Sequence, residues 1–124
     1  MSDADVRDAL QRFYEAMNGH EVAVVGELFS NQRQVLIIGT GGPWSIGRDA
    51  AVGALAEQFE ADPAVRFEAG DMTVEEHGDV AWVAENPRIH LADGTVVLCR
   101  HTAVLTREDG AWRVAQSHLS VPEE

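Results

Sequence analysis

The chain has 124 residues, 45% of them hydrophobic and 24% charged, an ordinary globular composition that suggests neither a disordered nor a membrane class. Its formal net charge of −12, from 21 acidic against 9 basic residues, repels phosphate backbones and anionic lipid, so neither nucleic acid nor a membrane surface is expected as a partner. No apolar run reaches the roughly 20 residues of a bilayer span, and the acidic start MSDADVRD lacks the basic region of a leader, so one cytoplasmic domain over residues 1–124 is expected.

A helix is expected from Ser2, because Val6, Leu10, Phe13 and Met17 recur on one helical face and Asp3, Asp5 and Asp8 suit the positive end of its dipole. Asn18-Gly19 ends it. Val22, Val25 and Phe29 mark a short second helix, Ser30-Asn31 a turn, and Val35 to Ile38 a strand too apolar to face water. The following GTGGPW is not G-x-G-x-x-G and no G-K-[ST] follows it, which excludes a nucleotide loop. Gly42-Pro43 and Gly47 are instead explained by the backbone freedom that a tight excursion from strand to helix needs. That leaves Trp44 as either a core residue or the lip of a cavity. A third helix carries Val52, Leu55 and Phe59 on one stripe and ends at Asp62-Pro63.

In the second half, His77-Gly78, Asp93-Gly94 and Asp109-Gly110 separate β-rich runs near 65–76, 79–91, 95–107 and 111–121, the spacing of an antiparallel meander. Helices first and hairpins afterwards predict an α+β domain, its helices packed on one face of a curved antiparallel sheet. A two-residue Asp93-Gly94 turn sets Glu85 opposite Thr102, and a three-residue Glu108-Asp109-Gly110 loop sets Arg100 opposite His118 and Thr102 opposite Gln116. One face then carries Glu85, Arg100, Thr102, Gln116 and His118 at one end and Ala81, Val83, Val104, Trp112 and Val114 at the other, the gradient of a small-molecule pocket. The opposite face, with Trp82, Asn86, Arg88, His90, Cys99, His101, Ala103, Leu105, Ala115 and Leu119, is left for contact between copies. A two-residue Asp109-Gly110 loop would shift the last pairing by one and bring His101 opposite His118.

On this register His118 is the candidate acid–base group, Arg100 the candidate oxyanion partner and Glu85 the carboxylate beside them. Phe13, Trp44, Phe59, Thr102 and Gln116 are candidate ligand contacts. The structural alternative is a buried Arg100–Glu85 ion pair satisfied by Thr102 and Gln116. His20, His77, His90, His101 and His118 fit no metal spacing, no serine or cysteine nucleophile with its base is visible, and the lone Cys99 excludes an internal disulfide. Neither a metal nor a cofactor is expected.

The stretches RFYEAMNGHEVAVVGELFS, WSIGRDA and RHTAVLTREDGAWRVAQSHLSVP, in this order over nearly the whole chain, resemble the SnoaL-like domains of the nuclear transport factor 2-like superfamily, kin to ketosteroid isomerase. The resemblance implies a cystatin-like cone in which three N-terminal helices pack on a strongly curved antiparallel sheet with a mixed edge. It further implies a pocket for a small apolar or mixed organic ligand inside the cone, and homodimers formed through the outer sheet face. Activity stays open among ligand binding alone, cofactor-free isomerase, dehydratase or cyclase chemistry with His118 as acid–base, and a dimerisation module. Ketosteroid isomerisation itself is not implied, because the family's tyrosine falls on Phe13, with Tyr14 one residue off and about 100° further round the helix. Its base falls on Ile38 and its second aspartate near Arg100.

Overall fold

Helix α1 spans Ala4–Asn18 in the computed structural model, which describes residues 4–40 and 44–122. The expected start at Ser2 and the Gly42-Pro43 turn lie outside the described residues. The predicted stripe Val6, Leu10, Phe13 and Met17 is buried, and Ala9, Tyr14 and Ala16 widen it into a broad apolar face. Asn18 closes the helix and clamps it to the next layer: its amide donates to the Phe67 carbonyl at 2.8 Å and accepts the Phe67 N–H at 2.7 Å.

Helix α2 (Val22–Leu28) is followed by the fully buried Phe29, whose ring lies 5.6 Å from that of Phe13. Strand β1 (Leu36–Ile38) then pairs with β2 (Trp44–Ile46), and α3 (Arg48–Ala61) begins after Gly47, whose φ of 96° is open to glycine at little cost. The helix stops before Pro63, as expected.

The first three of the four long runs predicted in the second half are each two strands. The first is β3 (Arg66–Glu68) and β4 (Thr73–His77), the second β5 (Val80–Glu85) and β6 (Arg88–His90), the third β7 (Val96–Leu98) and β8 (Arg100–Glu108); β9 (Ala111–Ser120) is continuous. The interruptions line up at Gly70, Asn86-Pro87 and Cys99, where Asn86 donates its side-chain amide to the Cys99 carbonyl and Cys99 N–H bonds the Pro87 carbonyl. Proline has no N–H for a ladder, so the strands turn there. The result is a six-stranded sheet ordered β2-β1-β9-β8-β5-β4, with β1 and β9 parallel and its other pairs antiparallel, and a three-stranded flap ordered β3-β6-β7. Three helices with a curved, mixed but mostly antiparallel sheet make the α+β architecture expected.

Register differs from the expectation by one residue in both hairpins. Leu91 and Thr95 close a three-residue loop, Ala92-Asp93-Gly94, in which the Asp93 carboxylate accepts the Thr95 N–H at 2.8 Å. Asp109 and Gly110 form a two-residue turn with φ of 52° and 82°, and Glu108 pairs with Ala111. Farther along, Leu105 pairs with Val114 but Val104 with Gln116, so Ala115 is an inserted residue, a β-bulge that reverses which side chains of β9 face inward. The core inside the cone is built from Val6, Leu10, Phe13, Val25, Phe29, Phe59, Val83, Leu105, Trp112 and Val114.

Candidate functional site

The one-residue register change sets Glu85 opposite His101, not Thr102. Glu85, His101 and Ser117 all point inward from β5, β8 and β9, and Tyr14 meets them from α1. The four are 6%, 4%, 8% and 4% exposed respectively, in a wall otherwise made of Ala81, Val83, Ala103 and Leu105.

Their hydrogen bonds form one connected line. Tyr14 O–H donates to Glu85 Oε2 at 2.7 Å, His101 Nδ1 lies 2.8 Å from the same oxygen, and the Gly70 N–H donates to Glu85 Oε1 at 2.9 Å. On the other side of the imidazole, Nε2 lies 2.7 Å from Ser117 Oγ. The tyrosine has a single proton and gives it to Glu85, so the Nδ1···Oη approach of 3.1 Å and the Nδ1···Oε2 contact both require the proton on Nδ1. With the proton on Nδ1, the neutral tautomer of His101 has its lone pair on Nε2, where the Ser117 hydroxyl can donate to it. Every member is satisfied, which is the condition for keeping a polar network in a core.

Burial, reinforced by the charge of Glu85 and by the hydrogen bond to it, pushes the Tyr14 phenol far above the ordinary tyrosine range. It stays a proton donor throughout the working pH range. Tyr14 also stacks on Phe67, with centroids 6.4 Å apart, and forms part of an open groove of about 580 Å³ between α1 and the flap, together with Gln11, Asn18, Arg66, Phe67 and His90.

A family model of the SnoaL-like domain matches residues 6–124. The chain belongs to the SnoaL-like domain family. Its fold is the cystatin-like fold of NTF2-like proteins. A proposed dehydratase of the NTF2-like family from Streptomyces avermitilis superposes with a TM-score of 0.86 at 23% identity, over 99% of this chain and 100% of that one. A proposed calcium/calmodulin-dependent protein kinase type II association domain from Thiobacillus denitrificans gives 0.82 at 19% identity over 93% of each chain. An NTF2-like protein with a cystatin-like fold from Novosphingobium aromaticivorans gives 0.80 at 16% identity, over 97% of this chain and 81% of that one. Identities this low establish shared fold. No curated protein matches the chain.

The sequence-predicted site residues of this SnoaL-like domain are divided between the two faces of the sheet. Glu85 is buried in the polar line, but Arg100, Thr102, Gln116 and His118 are exposed on the outer face. There the row Ala84, Thr102, His118, Ile38, Trp44 runs straight across the strands, and beside it lies the row Trp82, Val104, Gln116, Leu36, Ile46. The expected Arg100–Glu85 proximity is thus corrected, because shifting a strand by one residue exchanges its faces. Cys99, His101, Ala103 and Leu105, expected at a contact between copies, are buried inside for the same reason. Phe13 and Phe59 are core residues, with Phe59 stacked on His20 at 4.8 Å. Trp44 is neither core nor cavity lip: it stands 63% exposed on an outer strand.

Tyr14, His101 and Ser117 are not among the sequence-predicted site residues. Tyr14 lies four residues after Leu10, on the buried stripe, and His101 alternates with Ala103 and Leu105, an otherwise apolar face. A lone polar side chain inside such an alternation was the available signal.

Proposed function

We propose that this SnoaL-like domain is a cofactor-free acid–base enzyme for a small organic molecule, of the isomerase, dehydratase or cyclase kind, in which His101 exchanges the proton. The observation that carries the reading is the imidazole held at both nitrogens, by Glu85 at 2.8 Å and Ser117 at 2.7 Å, in a wall that is otherwise apolar. A buried histidine–carboxylate pair is expensive to desolvate, and such groups concentrate at functional sites. Glu85 and Tyr14 fix the tautomer that leaves Nε2 basic, and Gly70 N–H holds the carboxylate in place. The Streptomyces relative, named as a proposed dehydratase, agrees with proton removal next to a leaving group.

The test is deuterium incorporation in D2O, followed by NMR, with enolisable cyclic ketones and β-hydroxy carbonyl compounds. The wild type should exchange or dehydrate at least one of them, and His101→Gln should lower that rate at least about 100-fold, the usual contribution of a positioned acid–base group. Equal rates in the two proteins would overturn the reading.

The outer sheet face supports a second, compatible role as the contact between two copies. Trp44, Ile46 and Trp82 are 63%, 57% and 48% exposed there, a degree of apolar exposure that marks interaction surfaces. The Thiobacillus relative is named as an association domain, which fits such a surface.

A further inference from the structure

We propose that Ser117 is a nucleophile, activated by His101 and Glu85, that accepts an acyl group from short-chain esters or thioesters with good leaving groups. This goes beyond the acid–base reading, since the serine oxygen itself forms a bond to substrate. Three side chains in sequence carry it: Ser117 Oγ lies 2.7 Å from His101 Nε2, and His101 Nδ1 lies 2.8 Å from Glu85 Oε2. Those are the spacings and the order of a hydroxyl, its base and the carboxylate that orients the base. The protonation pattern agrees, because Nδ1 must carry the proton toward Glu85 and Nε2 is then free to take the one on Ser117.

Position supports access from the serine side. Ile37, directly paired with Ser117 across β1 and β9, and Leu119, two residues on along the same inward row, are half-buried, whereas Ala103 and Leu105 on β8 are sealed. The hydroxyl therefore lies nearer the solvent-exposed margin of the core than Ala103 or Leu105 does. β9 is laddered to β8 on one side and to β1 on the other, so backbone N–H groups there are engaged and give a tetrahedral oxyanion little help. That restricts the reaction to activated acyl donors, and the filled core restricts it to short acyl chains.

In the acylation step Ser117 Oγ bonds to the carbonyl carbon while its proton passes to His101 Nε2. Collapse of the adduct breaks the bond to the leaving group, which departs with that proton as an alcohol, phenol or thiol. Water then attacks the acyl-serine with His101 as base, releasing the carboxylic acid and restoring the hydroxyl.

The experiment treats the full chain with p-nitrophenyl acetate and, separately, with a small alkyl fluorophosphonate, reading released nitrophenol, intact mass and the modified peptide. The wild type should give a nitrophenol burst approaching one equivalent and a single phosphonyl adduct on Ser117. Ser117→Ala should abolish both, and His101→Gln and Glu85→Gln, checked for folding by circular dichroism, should each slow labelling at least about 100-fold. An unlabelled wild type, an adduct on another residue, or unchanged labelling in a folded His101 or Glu85 variant overturns the proposal. Deuterium exchange by the wild type separates the two readings: a chain that exchanges deuterium but forms no adduct on Ser117 overturns acyl transfer and leaves the acid–base reading standing.

Discussion

Gly70 lies against the backbone of Asn86 so closely that a Cβ at position 70 would stand 2.2 Å from the Asn86 carbonyl oxygen, while the Gly70 N–H bonds Glu85 Oε1 at 2.9 Å. The neighbour is main chain and cannot swing aside, so any side chain at 70 displaces the segment that braces the buried carboxylate. Gly70→Ala should cost about 2–4 kcal/mol, combining the clash with loss of a hydrogen bond to a charged group. Gly53→Ala, in the exposed part of α3 with open space around it, should instead stabilise by about 0.5–1 kcal/mol. Urea midpoints of the two variants decide it, and similar effects of the same sign would contradict the argument.

The two histidines on adjoining strands should behave oppositely. Removing the His101 ring strips Glu85 of its Nδ1–H partner inside the cone, and losing a hydrogen bond to a buried carboxylate in this way costs about 2–3 kcal/mol. His118 is exposed on the outer face, where substitutions usually change stability by less than about 0.5 kcal/mol. Denaturation of His101→Ala beside His118→Ala measures the contrast, and equal losses would mean that His101 is not held as described.

Why His118 was the sequence's candidate is a matter of two loops and one inserted residue. The helical stripe Val6, Leu10, Phe13, Met17 was legible because a period of 3.6 tolerates small errors of boundary. Strand faces tolerate none, since the period is two. Asp93-Gly94 and Asp109-Gly110 are the same dipeptide, yet the first belongs to a three-residue loop and the second is a two-residue turn. What distinguishes them is whether the aspartate takes a positive φ, as Asp109 does, or turns its carboxylate onto a later N–H, as Asp93 does. The bulge at Ala115 has no marker in the sequence, and it separates Gln116 and His118 from the inward face of Trp112 and Val114. The breaks at Gly70 and Pro87 were written in residue type, whereas the meeting of Tyr14 with Glu85, 71 residues away, required the register to be known first.

Acid should weaken the protein through Glu108. Its carboxylate, 2% exposed, accepts the hydroxyls of Ser30 at 2.5 Å and Thr106 at 2.6 Å and the Asn31 N–H at 3.1 Å. Burial pushes this carboxyl upward, but those hydrogen bonds, with the charge of Arg113, outweigh it and hold the group below its ordinary range. The folded state thus favours the anion more than the unfolded chain does. The stabilisation is complete above the unfolded carboxylate value of about 4.3 and is lost as pH falls through the lower folded value. Glu108→Gln should cost about 1–3 kcal/mol at neutral pH and flatten the acid limb of stability against pH. An acid limb parallel to that of the wild type would show that Glu108 is not its source.

Association through the outer sheet face has a marker in Trp82, which is 48% exposed and stacked on His77 with centroids 5.0 Å apart. Trp82→Glu places a charge at the β5 end of the row that runs through Val104, Gln116 and Leu36 to Ile46. If two copies meet on this face, the dissociation constant should rise at least about 30-fold, the effect of losing an aromatic anchor worth roughly 2 kcal/mol. Sedimentation equilibrium measures it, and an unchanged constant would move the contact elsewhere.

Alkali isolates Tyr14, because it is the one tyrosine and all nine basic side chains are arginines, which do not deprotonate in the accessible range. Its phenol is held protonated, by burial first and then by the charge and hydrogen bond of Glu85, so the folded chain keeps the proton after the unfolded chain has lost it. The stabilisation is therefore complete below the unfolded value of about 10 and declines as pH climbs beyond it. The absorbance of ionised phenol should appear together with loss of the circular dichroism signal, not before it. Burial also raises the Cys99 thiol, so the contribution of Tyr14 is read as the difference between wild type and Tyr14→Phe, whose alkaline limb should be shallower. Phenolate absorbance in a chain that is still folded would mean that solvent reaches the hydroxyl, and that the line from Tyr14 through Glu85 and His101 to Ser117 is open at its helical end.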